Sequence, residues 1–100
     1  MELDVLQSIV SQYGVECTIR NKPLIYWCLK NRKALKWLLQ HDANPNVEIW
    51  IREDKRVSAL WLAKRQTSTK YWLKIRSLLH KYGGISIRFS DFVSLNIQQK

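Results

Sequence analysis

Residues 38–46 read Leu38-Leu39-Gln40-His41-Asp42-Ala43-Asn44-Pro45-Asn46. The leucine pair is the end of an apolar stripe. Leu35, Leu38 and Leu39 recur at helical spacing, so residues 32–41 are expected to form a helix with one buried face. Residues 42–46 are rich in Asp, Asn and Pro, which bond to their own backbone or fix φ, and so form a turn. Upstream, Asn31 marks a break, and residues 24–30 form a short, apolar helix. Pro23 suits the first turn of that helix, where its missing N–H is not needed.

The same plan recurs downstream. Ser58 caps a short helix over residues 59–66, residues 66–69 break it, and Thr69 caps a longer helix over residues 70–82. That longer helix is expected to bury Leu73, Ile75, Leu78 and Leu79, and Gly83-Gly84 ends it. The starts of the two units, Pro23 and Ala59, lie 36 residues apart, and the leucine pairs at Leu38 and Leu78 lie 40 apart. Before the first unit, Leu3, Leu6, Ile9 and Val10 give a helix over residues 3–13, stopped by Gly14. Residues 15–21 form a polar connector with some strand character. After the second unit, residues 85–89 alternate, and Ser90 is expected to cap a last helix over residues 91–97.

These segments resemble ankyrin repeats. Lys22-Pro23-Leu24 is similar to the Thr-Pro-Leu-His start of that family's unit, and residues 38–46 are similar to its Leu-Leu-Glu-His-Gly-Ala-Asp-Pro-Asn end. Ser58-Ala59-Leu60-Trp61-Leu62-Ala63 resembles the start again, and Leu78-Leu79-His80-Lys81-Tyr82-Gly83 the end. Residues 6–14 followed by Asn21-Lys22 look like the closing half of a preceding unit. The departures are specific. The family's His after Leu is Ile25 and then Trp61, and its paired alanines are Trp27-Cys28 and Ala63-Lys64. A Trp at that position forces wider spacing between neighbouring short helices. Asp42 stands where the family has Gly and tolerates the left-handed conformation less well.

The resemblance implies an all-α fold, a short ankyrin-like solenoid of stacked helix pairs with an extended connector arm and capping termini. The expected organisation is one domain over residues 1–100: a cap helix and connector at 1–21, a repeat at 22–46, an arm and repeat at 47–84, and a capping tail at 85–100. Two full repeats and a half fall short of the about three that a solenoid usually needs. Either the ends act as caps and the chain is a complete small protein, or it is a fragment of a longer array.

Composition narrows the function. Apolar residues make up 46% and charged residues 25% of 100 residues, which argues against disorder. No apolar run approaches the roughly 20 residues of a membrane span. Residues 1–10 hold two acids and no base, unlike a secretory signal, so an intracellular, cytoplasmic location is expected. Cys17 and Cys28 have no metal-ligand spacing, and two reduced, packed thiols are expected in preference to a disulfide. His41 and His80 stand apart from acids and cysteines, so no metal site is expected. There is no glycine-rich phosphate loop and no nucleophile beside a base. The reading is therefore no catalytic residues, no cofactor and no enzyme.

Charge is the unusual feature. Seventeen bases against eight acids give a net +9. Residues 17–41 contain six bases and no acid, and residues 55–90 contain nine bases and no acid. Such a field attracts acidic partners. Residues 47–54 add an alternation in which Val47, Ile49 and Ile51 point one way and Glu48, Trp50 and Arg52 the other.

The resemblance implies a concave binding surface built from the connector arms and short helices. On this chain those positions are Asn21 and Lys22, then Lys30, then Trp50, Arg52, Lys55 and Arg56 on the arm, and Arg65 after the second short helix. Trp50 is the strongest anchor, because Trp and Arg carry most interface energy. Either a partner or the tail, residues 85–100, covers it. The remaining Trp residues at 27, 37, 61 and 72 read as core. Lys33, Lys36, Lys74, Arg76 and Lys81 read as an outer, solvated face. The expected function is a non-catalytic protein-interaction module binding an acidic partner surface, in a narrower version an effector or inhibitor of a larger complex. A nucleic-acid binder using the basic face is the alternative. No membrane is expected as a partner. A monomer is expected, with a dimer through the exposed end of the second repeat as the other arrangement.

Overall fold

Polar side chains set where most of the helices begin. The computed structural model describes residues 1–89. Helix α1 is Leu3–Tyr13, and only Leu6 on it is fully buried. Gly14 follows at φ 90, and its N–H donates to the Val10 carbonyl. The chain then forms a hairpin of β1, Thr18–Ile19, and β2, Lys22–Pro23. Its turn residues Arg20 and Asn21 both have positive φ, 52° and 64°. That is the geometry of a two-residue hairpin turn of the kind whose twist matches the strands.

Helix α2 is Leu24–Cys28, shorter than expected, and Pro23 is its extended N-cap rather than part of its first turn. Helix α3 is Arg32–Gln40. Asn31 caps it, its Oδ1 accepting from the Ala34 N–H at 3.2 Å, while its Nδ2 donates to the Met1 carbonyl at 2.9 Å and ties down the segment before α1. Asp42 takes the left-handed conformation at φ 67.

A second hairpin follows, of β3, Ile49–Arg52, and β4, Lys55–Val57. Trp50 pairs with Arg56 and Arg52 with Lys55, so Ile51 is an extra, bulged residue. Helix α4 is Ala59–Lys64, and α5 is Lys70–Lys81. Ser58 and Thr69 cap them as expected, accepting from the Trp61 and Trp72 N–H groups. Gly83 closes α5 at φ 88. At Gly84 a Cβ would lie 2.7 Å from the Leu79 carbonyl oxygen, so only glycine fits there.

The all-α expectation is thus overturned. Five helices share the chain with two antiparallel two-stranded sheets, which makes the fold mixed α/β. The residues read as connector and arm are hairpins, because each folds back on a strand only two to four residues long. The hairpin, short helix and long helix occur in that order twice. The tail joins the second hairpin: Val57 bridges Arg88, and the Ser58 N–H donates to the Ile87 carbonyl at 3.0 Å. The helix expected over residues 91–97, and its Ser90 cap, lie outside the described residues.

One apolar cluster runs through Leu6, Leu24, Leu35, Ile49, Ile75 and Leu79, so every helix or hairpin that flanks it contributes. Leu73 is a correction: it is half exposed rather than core. Of the Trp residues read as core, only Trp61 is buried. Trp27, Trp37 and Trp72 are half-buried. Trp27 is held by its Nε1–H, which donates to the Ile19 carbonyl at 3.1 Å.

Candidate functional site

The eight residues singled out from the sequence fall into separate groups. Asn21, Lys22, Trp50 and Arg52 line one open cleft of about 660 Å³ between the two hairpins, with Pro23 and Val47 beside them. The left-handed Asn21 and strand residue Lys22 come from the first hairpin, and Trp50 and Arg52 from the second. Glu48 and Glu53 also border this cleft, so its rim carries both signs.

Trp50 is 44% exposed. Arg56, its cross-strand neighbour, places its guanidinium 5.0 Å from the centre of the ring. Arg56 in turn donates from Nη1 to both carboxylate oxygens of Glu48, at 3.4 and 3.3 Å. Its side chain is only 15% exposed. Arg56 therefore braces Trp50 rather than presenting its own charge. The described part of the tail runs beside β4, and the rest of the proposed cover over Trp50 lies outside the described residues. Arg52 also faces Asp54 at 3.7 Å, but both are well exposed, and such a pair contributes little.

Lys55 and Arg65 come together elsewhere. Adjacent strand residues point to opposite faces, so Lys55 leaves β4 on the side away from Arg56. Its ammonium lies 4.7 Å and the Arg65 guanidinium 4.2 Å from the centre of the buried Trp61 ring. Each contact is worth about 0.5–2 kcal/mol. The sequence marks Trp61 only as core. Its pairing with Arg65 at i, i+4 was legible, but the approach of Lys55 depends on the hairpin. Lys30 joins neither group. It borders a hollow of about 480 Å³ lined by Tyr26, Trp27, Leu29, Leu62 and Trp72.

Arg76 also departs from its reading as a solvated residue. Its Nε donates to the Ala63 carbonyl at 3.0 Å and its Nη2 to the Gln66 carbonyl at 2.9 Å. It thereby adds a charged donor to the carbonyls at and just past the end of α4, where a cation is favoured; the Ala63 carbonyl also accepts from the Gln66 N–H.

Both cysteines are free. Burial pushes the Cys28 thiol up to about 11, so it is protonated at neutral pH and a poor nucleophile. Burial also raises Cys17, against a backbone hydrogen bond that lowers it. Among the described residues no three His, Cys, Asp or Glu side chains group to hold a metal, and no helix is long and apolar enough to cross a membrane. No protein-family model, curated protein or solved structure matches this chain.

Proposed function

We propose that this chain is a non-catalytic protein-interaction module that engages an acidic partner surface through the cleft between its two hairpins. The observation that carries this reading is Trp50. A large ring stands half exposed at the rim of a cleft, and an Arg56–Glu48 pair fixes its orientation before any partner arrives. A braced ring loses little freedom on binding, which is where preorganised anchors gain affinity. Lys22 and Arg52 can each meet a carboxylate beside it, and the net +9 of the chain, rather than the mixed-sign rim of Glu48 and Glu53, steers an acidic partner. The resemblance to ankyrin repeats is part of the proposal, supported by the twofold order of hairpin, short helix and long helix.

The test is retention of partners from native extract, before and after nuclease treatment. A protein retained after nuclease, and lost with Trp50→Ala and with Arg52→Glu, is the expected result. For Trp50→Ala the affinity should fall at least about 30-fold, the level of an interface anchor. Loss of everything on nuclease treatment, or variants that bind like the wild type, would overturn the reading.

A further inference from the structure

A different face is strongly basic. Helices α3 and α5 border an open groove of about 370 Å³ whose cations are Arg32, Lys36, Lys70, Lys74 and Lys81. All five side chains are exposed. No acid lies on either helix, and among the described residues none of the five forms an ion pair. We propose that this groove binds the phosphodiester backbone of a nucleic acid, independently of the hairpin cleft.

The spacing suits a regular anion. Lys70, Lys74, Ser77 and Lys81 stand at i, i+4, i+7 and i+11, a single stripe along α5. That stripe is about 16 Å long at 1.5 Å per residue. It therefore spans roughly five nucleotide steps of about 3.4 Å each. Arg32 and Lys36 form the opposite wall, one helical turn apart. The Ser77 hydroxyl adds a neutral donor between the cations of α5.

The composition favours phosphate over an acidic protein. Four of the five cations are Lys, which is depleted at protein interfaces, whereas Lys and Arg together supply phosphate contacts. No aromatic ring lines the groove, so it lacks both the usual anchor of a protein interface and a platform for stacking bases. It grips backbone without reading sequence. Leu73, half exposed at its edge, is the only apolar side chain there that is open to solvent.

The test is fluorescence anisotropy of a labelled oligonucleotide of about 20 nucleotides, single-stranded or duplex and of mixed sequence, titrated with the protein at several salt concentrations. Five phosphate contacts give a slope of log affinity on log salt of about −3.5 for single strands and about −4.5 for duplex. Affinity should therefore fall about 100- to 500-fold between 50 and 200 mM salt. Lys74→Gln with Lys81→Gln should make the slope shallower by about 1.4 to 1.8. Both residues are exposed, and unchanged circular dichroism checks their fold. Trp50→Ala should leave oligonucleotide binding unaltered, which separates this proposal from the hairpin cleft. The proposal is overturned by no binding at 50 mM salt, by an unchanged slope in the double variant, or by polyglutamate competing as well as a second oligonucleotide.

Discussion

Ser58 shows how much one small side chain can organise. It is fully buried and polar, a position that costs free energy unless every donor and acceptor is matched. Its Oγ accepts from the Trp61 N–H at 3.3 Å and the Ile87 N–H at 3.0 Å, and donates to the Ile85 carbonyl at 2.5 Å. One hydroxyl thus starts α4 and pins the tail against the second hairpin. Ser58→Ala removes the cap and leaves the buried Trp61 amide and the part-buried Ile87 amide without this acceptor, at about 1–3 kcal/mol. Denaturant melts should show a lower midpoint with an unchanged slope. A variant as stable as the wild type would mean that the tail contact is not formed in solution. Half of this role was legible in the sequence. A Ser before Ala-Leu-Trp-Leu-Ala signals a cap, but nothing local announces a partner 27 residues away.

At the scale of elements, the helices were legible and the sheets were not. Asn31, Ser58 and Thr69 are cap residues before apolar periodicity, and all three bond as caps do. The two-residue strands of the first hairpin are too short for period-two alternation to declare itself. The first hairpin turns through Arg20-Asn21 without the glycine that usually marks such a turn. In the second, the alternation read for residues 47–54 holds at buried Ile49 and breaks at Ile51, which is 37% exposed. Ile51 is the bulged residue, and a bulge re-aims the side chains beyond it. Leu73 failed for another reason. The buried residues of α5 are Ile75, Leu78 and Leu79, and Leu73 is two positions before Ile75, on the far side of a helix with about 3.6 residues per turn. Its apolar character points inward, but its helical phase points out. Leu73→Gln should accordingly change stability by no more than about 0.5 kcal/mol. Leu79→Ala, which empties a fully buried site, should cost about 2–5 kcal/mol. Equal effects in thermal melts would contradict the placement of the helix.

The molecule is elongated, with extents of 46 × 33 × 21 Å, and its two hairpin-and-helix units share one seam. Polar latches cross that seam. The Asn46 side chain donates to the Gly83 carbonyl at 3.0 Å and accepts from the Ile85 N–H at 2.7 Å. The Tyr71 hydroxyl donates to the Leu29 carbonyl at 2.6 Å. Burial raises the Tyr71 hydroxyl above its ordinary pKa, so it keeps its proton, and this donor, through the neutral range. The question at this scale is whether the latches or the apolar core make the two units fold together. The core is a single connected cluster from Leu6 to Leu79, whereas the latches of Asn46 are exposed and each worth about 1 kcal/mol. Asn46→Ala with Tyr71→Phe should therefore lower stability by about 2–3 kcal/mol without uncoupling the units. Unfolding followed by Trp fluorescence and by far-ultraviolet circular dichroism should stay coincident, with an unchanged denaturant slope. If the two probes separate in the double variant, the latches are what couples the units. Binding at the hairpin cleft and binding at the α3–α5 groove would then be linked through that seam rather than independent.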